Sequence, residues 1–140
     1  MDGIVNENSV IVPLGRLKGE NWLHRHIAIL PQGANVLELG CGEGYDSAYL
    51  LGQGMKVLST DLQQGHLDKT RQVAGENVKT QILDLLSKEN WEKLADNSFD
   101  VVMASLCLHY FSPQETERII NEIKRVLKPN GKLLARVNSV

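Results

Sequence analysis

The chain has 140 residues, 42% apolar and 23% charged, and its 15 Lys and Arg against 17 Asp and Glu leave a formal charge of −2. That length suits one domain that buries roughly two-thirds of its unfolded surface, with the composition of an ordinary soluble globular protein. The charge balance excludes a basic footprint for nucleic acid or an anionic membrane, no apolar run is long enough to span a bilayer, and Cys41 and Cys107 make no disulfide framework. The opening Met1-Asp2-Gly3-Ile4-Val5 has neither a basic stretch nor an apolar core, so no signal peptide is expected, and a cytoplasmic location with reduced thiols is. Within the N-terminal segment 1–33, a helix is predicted over 20–30, where Trp22, Leu23, His26, Ile27 and Leu30 share one face suited to core packing. His24-Arg25-His26 lies on it, but no Cys or carboxylate cluster joins the two histidines, so no metal is expected. Strands are predicted at 35–40, 55–60, 78–83, 99–105 and 131–138, and helices between them at 45–53, 65–75, 88–95 and 113–128. The last helix is the clearest: Ser112 caps it, Pro113 suits its first position, Glu115 completes a Ser-x-x-Glu box, and Pro129-Asn130-Gly131 ends it. The runs Val101-Val102-Met103-Ala104 and Leu133-Leu134-Ala135 read as strands buried on both faces, as in a parallel sheet.

Strand alternating with helix implies a doubly wound α/β sheet with right-handed crossovers. No repeat, low-complexity tract or linker divides residues 1–140, so the whole chain reads as one domain. It stops at Val140, directly after an apolar fifth strand with no charge or proline to protect that edge. Either the chain is a fragment, or a second copy pairs along the exposed fifth-strand edge as a homodimer.

The chemistry concentrates after the first of these strands. Val36-Leu37-Glu38-Leu39-Gly40-Cys41-Gly42-Glu43-Gly44 carries one acid into a turn with three glycines in five positions. Glycines let a backbone turn tightly and let a ligand approach without a Cβ between them. In an open α/β sheet such a turn lines the ligand crevice at the carboxyl ends of the strands. A dinucleotide site needs G-x-G-x-x-G, with pyrophosphate on the helix N-terminus. Here the spacing is G-x-G-x-G, Tyr45 stands where the third glycine belongs, and the carboxylate of Glu38 has no place in a phosphate cradle. The second strand ends at Asp61, twenty-one positions after Gly40, where an acid accepts ribose hydroxyls in either ligand class. Asp84 closes the third strand and can accept from an exocyclic amine of a base. Taken singly, Asp61 and Asp84 are equally readable as caps or solvated turns. Glu38, Asp61 and Asp84 together would converge on one crevice.

These segments resemble the class I S-adenosylmethionine-dependent methyltransferases. Glu38-Leu39-Gly40-Cys41-Gly42-Glu43-Gly44 matches the family's first motif, and Leu58-Ser59-Thr60-Asp61 its ribose-binding acid. Leu83-Asp84-Leu85 is similar to the adenine-flanking segment, Ser98-Phe99-Asp100-Val101-Val102 to the fourth strand, and Leu127-Lys128-Pro129-Asn130-Gly131-Lys132-Leu133-Leu134 to the entry into the fifth. A looser similarity points to the small-molecule enzymes of the thiopurine and tellurite-resistance kind. The resemblance implies a Rossmann-like, mainly parallel sheet of about five strands, S-adenosylmethionine as cofactor, and a small-molecule acceptor. It assigns Gly40, Cys41 and Gly42 to the turn beside the methionine part and Glu38 to its amino end. Asp61 with Leu62 falls to the ribose and adenine, Asp84 with Leu85 to the adenine amine, and Ser105 with Leu106 to the methyl. His109 and Tyr110, after the fourth strand, are the candidates for a general base, which methyl transfer needs only if the acceptor loses a proton early. An aromatic patch of Tyr110 and Phe111 packing under a loop is the alternative. Family members continue into a helix and an antiparallel β-hairpin, which are expected to be missing here with part of the acceptor site. Two other readings remain: a module that binds S-adenosylmethionine without turnover, and an NAD-dependent oxidoreductase.

Overall fold

Short runs rich in β-branched and aliphatic residues, alternating with helical segments, set the frame. The computed structural model describes residues 10–13, 23, 26–105 and 111–137. The strands are β1 (Val10–Pro13), β2 (Asn35–Leu39), β3 (Lys56–Asp61), β4 (Lys79–Ile82), β5 (Phe99–Ser105) and β6 (Leu127–Val137). The helices are α1 (Tyr45–Gly52), α2 (Gln64–Ala74), α3 (Lys88–Glu92) and α4 (Pro113–Val126). The strands form one sheet in the order β1-β6-β5-β2-β3-β4, and every pairing in it is parallel. The order runs outward from β2 to β4 on one side and from β5 on the other, so the switch point lies between β2 and β5.

Burial follows the two-sided pattern of such a sheet. Leu37, Leu39, Val102, Ala104, Leu133 and Ala135 face the helical layer that carries Trp91, Ile119, Ile123 and Val126. Val36, Val57, Val101, Met103 and Leu134 face Leu23, Leu30 and Leu50 on the opposite side. Each Val, Leu, Ile or Met side chain among them contributes roughly 1.5–3 kcal/mol when taken from water, before conformational entropy is set against it. The capping box of α4 forms as expected, with Ser112 Oγ accepting from Glu115 N at 3.2 Å and Glu115 Oε1 accepting from Ser112 N at 3.0 Å.

Three expectations are corrected. The sheet has a sixth strand, β1, whose register sets Val10 beside Leu134 and Pro13 beside Val137. The edge of β6 expected to lie open is therefore covered by the same chain, which removes the basis for a homodimer along it. Between Phe99 opposite Leu127 and Val101 opposite Lys132 the ladder skips, so residues 128–131 loop out and β6 begins earlier than the strand expected at 131–138. The helix expected over 20–30 is 3-10 structure among the described residues: Leu23 is in that conformation, and Ile27–Ile29 form a turn closed by Leu30 N donating to Ile27 O at 3.1 Å. Leu23 and Leu30 are buried as expected, both packing into the cluster of Val36, Leu50 and Val57. Trp22, His24 and Arg25 lie outside the described residues. No helix among the described residues is long and apolar enough to cross a membrane.

Candidate functional site

The turn after β2 divides its glycines between two tasks. Cys41 N still donates to Thr60 O at 2.9 Å, holding the turn against β3. Gly42 has φ +55°, and a Cβ added there would point into open space. At Gly44, φ is +91° and an added Cβ would come within 2.6 Å of Thr70 Cα, so this glycine lets the start of α1 pack on α2. Cys41 fills the space between, its Sγ accepting from Thr70 Oγ1 at 3.2 Å, and burial pushes its thiol up to about 12. A thiol so protonated is a packing group and no nucleophile.

Asp61 ends β3 with its carboxylate nearly buried and both oxygens engaged. Its Oδ1 accepts from Gln63 N at 3.0 Å and lies 3.0 Å from His66 Nδ1, while Oδ2 accepts from Gly42 N at 3.3 Å. Leu83 N donates to Asp61 O at 3.0 Å, which carries the sheet pairing one residue past β4 and sets Asp84 beside the same opening. Asp84 is exposed; its Oδ1 accepts from Leu86 N at 2.9 Å and so also caps the turn into α3. Trp91 Nε1 donates to Leu85 O at 2.8 Å and anchors that turn from below.

Glu38 sits behind this surface, 1% exposed in the middle of the sheet. Ser47 Oγ donates to its Oε1, as does Ser59 Oγ at 3.3 Å, and the two hydroxyls are 2.6 Å apart. Burial outweighs these bonds and raises its carboxyl to about 8.

The strand ends open on one cleft of about 810 Å³, within the range of small-molecule and cofactor sites. Of the residues singled out from the sequence, Gly40, Cys41, Gly42, Asp61, Leu62, Asp84 and Leu85 line it together. Glu38 is not among the lining residues. Ser105 ends β5, and Leu106, His109 and Tyr110 lie outside the described residues. Leu83, from the segment similar to the adenine-flanking one, lines the cleft too, as do Phe111, expected only as packing, and Asp46, Gln63, His66 and Leu86, none of which was expected from the sequence. A signal existed for Gln63, since the residues directly after a strand-end acid face the same crevice; His66, further along on α2, carried none. Among the described lining residues three are Asp and none is Lys or Arg. That balance fits a ligand with a cationic part and opposes a pyrophosphate. The open backbone at Gly42 provides the close approach such a ligand needs. Among the described residues no group of three or more His, Cys, Asp and Glu is placed to hold a metal ion.

The fold and site define an α/β protein with an acid-lined cleft at the carboxyl ends of β2, β3 and β4, of a size that suits a nucleoside-type ligand. A family model described as "Methyltransferase domain" matches residues 37–135. The chain belongs to this family, the class I S-adenosylmethionine-dependent methyltransferases. It is 33% identical over 115 residues to phosphoethanolamine N-methyltransferase 1 of Triticum aestivum, covering 79% of this chain and 23% of that protein. It is 35% identical over 107 residues to the S-adenosyl-L-methionine-dependent Diels-Alderase iccD of Talaromyces variabilis, covering 74% of this chain and 36% of that protein. Among solved structures, an S-adenosylmethionine-dependent methyltransferase from Mesorhizobium loti superposes with a TM-score of 0.67 at 27% identity, covering 81% of this chain and 51% of that one. The chain thus spans between about a quarter and a half of the length of these relatives.

Proposed function

We propose that this chain binds S-adenosylmethionine in the acid-lined cleft and serves in methyl transfer to a small-molecule acceptor. The observation that carries the reading is the convergence of the glycine turn, Asp61 and Asp84 on one opening that holds carboxylates and, among its described residues, no Lys or Arg. When bound, the cofactor supplies a methyl group already activated by its sulfonium. The protein's part is then alignment and exclusion of water. In this reading Gly40, Cys41 and Gly42 admit the methionine part to the backbone, and Glu38 orients its amino end from behind the turn. Asp61 accepts from the ribose hydroxyls and Asp84 from the adenine amine, with Leu62 and Leu85 against the base. Ser105 and Leu106 lie beside the methyl, and His109 or Tyr110 takes a proton where the acceptor must lose one. The wheat relative's name, a phosphoethanolamine N-methyltransferase, supports a small acceptor, and the chain's formal charge of −2 speaks against nucleic acid.

A second reading, cofactor binding without methyl transfer, is favoured by the relative named for Diels–Alder chemistry. Calorimetry with S-adenosylmethionine, S-adenosylhomocysteine and NAD separates the cofactor classes, and a panel of amine, thiol and hydroxyl acceptors then separates the two readings. The expected result is binding of the first two ligands and methylation of one acceptor class. Binding of NAD alone overturns the proposal; binding without product across the panel favours the second reading. Asp61→Ala should weaken S-adenosylhomocysteine by about 1–3 kcal/mol, and an unchanged affinity removes Asp61 from the ribose.

A further inference from the structure

The ribose acid of the proposed site is already fully engaged on one oxygen. An ionised carboxylate offers about two acceptor positions on each oxygen. On Asp61, Oδ1 meets Gln63 N and His66 Nδ1, each at 3.0 Å, and Oδ2 meets Gly42 N at 3.3 Å. Because an ionised carboxylate only accepts, His66 Nδ1 is the donor in its pair. One acceptor position of the four is then left, on Oδ2, whereas a ribose diol that donates to both oxygens needs one on each. Two of the three donors belong to the backbone of the turns that shape the cleft. His66 alone is a side chain, it lines the cleft, and its side chain is 45% exposed on the first turn of α2.

We propose that His66 is a latch on Asp61: it occupies Oδ1 in the free protein and must turn away before both ribose hydroxyls can be held. The imidazole and the diol compete for one lone pair. This rests on the S-adenosylmethionine reading and adds to it a positioning residue that sets how tightly the cofactor is held. Rotation about χ1 carries the ring toward solvent, where water replaces its bond, so the latch is cheap to open. It is not free, since the ring gives up a hydrogen bond to a charged group.

The test uses the 140-residue chain and S-adenosylhomocysteine in calorimetry. His66→Ala should bind it about three- to tenfold more tightly than the unsubstituted chain, the share of the latch bond that water fails to replace. His66→Asn, whose amide nitrogen reaches the place of Nδ1, should return the affinity to that of the unsubstituted chain. A purely structural histidine would give weaker or equal binding on truncation. In ¹⁵N spectra, the Nδ1 signal of His66 should shift from its bonded position when S-adenosylhomocysteine saturates the site and stay in place with adenine, which lacks the ribose. Equal or weaker binding by His66→Ala, or an Nδ1 signal that S-adenosylhomocysteine leaves unmoved, overturns the latch while the cofactor reading stands. No binding by the unsubstituted chain overturns both.

Discussion

Glu38 shows what a single buried acid does to the whole chain. It is cut off from solvent inside the sheet, and the two serine hydroxyls at its Oε1 only partly replace the water it has lost. Its carboxyl is near 8 in the fold against 4.5 for an exposed glutamate. Between those values the native chain keeps a proton that the unfolded chain has released. The stability Glu38 contributes is therefore full below pH 4.5 and is lost as the pH rises through 8. Glu38→Gln keeps the shape and the acceptor oxygen without the charge. Its unfolding free energy relative to the unsubstituted chain should rise between pH 6 and 8, by at most about 1.4 kcal/mol per pH unit for one proton. Urea midpoints at several pH values measure this, and a difference constant with pH would show that Glu38 is not held protonated.

At the scale of the element, the glycine turn is where strand, helix and ligand site meet, and its glycines should respond differently. Gly44→Ala drives a Cβ to 2.6 Å from the backbone of Thr70. Backbone cannot yield as a side-chain tip does, so α1 must shift on α2, at a cost of about 2–4 kcal/mol. Gly42→Ala meets nothing, and its φ of +55° is close to the left-handed helical region, so its cost is about 1 kcal/mol. The new methyl group would instead stand in the cleft. Thermal midpoints should fall mainly for Gly44→Ala, and S-adenosylhomocysteine affinity mainly for Gly42→Ala; the reverse order would mean the two glycines have been assigned wrongly. Much at this scale was legible beforehand. β2, β3, β4 and β5 lie within a residue or two of the runs read from the sequence; burial on both faces leaves its unbroken apolar signal most plainly in β5, at Val101 to Ala104. The Asp61 and Asp84 positions followed, since strand ends fix where acids open. His66 was not legible: one imidazole on a polar helical turn has no local signature until the fold sets it against Asp61. The 3-10 turn at Ile27–Ile29 shares the spacing of apolar residues that a helix would show.

At the scale of the whole molecule, the hardest feature to foresee was the pairing of β1 with β6. Four residues, Val10-Ile11-Val12-Pro13, meet a strand more than 120 positions away, and nothing local announces such a contact. Its consequence is topological. The run Leu133-Leu134-Ala135 is buried, and without β1 the N–H and C=O groups from Leu134 to Val137 would face outward along an apolar strand. Such an edge is a template for another chain. Closing it within one chain costs only the loop-closure entropy, which grows slowly with separation. A variant lacking residues 1–14 should therefore form larger species in light scattering at concentrations where the full chain gives a single smaller one. Its thermal midpoint should also fall, by roughly 3 °C for each 1 kcal/mol of lost pairing in a chain of this size. The cleft lies at β2, β3 and β4, with β5 and β6 between it and the edge. S-adenosylhomocysteine affinity of the dispersed fraction should accordingly stay within about twofold, since distant sites act nearly independently. A truncated chain that scatters and melts like the intact one would mean that β1 leaves the edge no better protected than solvent does. A truncated chain that stays dispersed but loses the ligand would instead tie β1 to the cleft through the sheet.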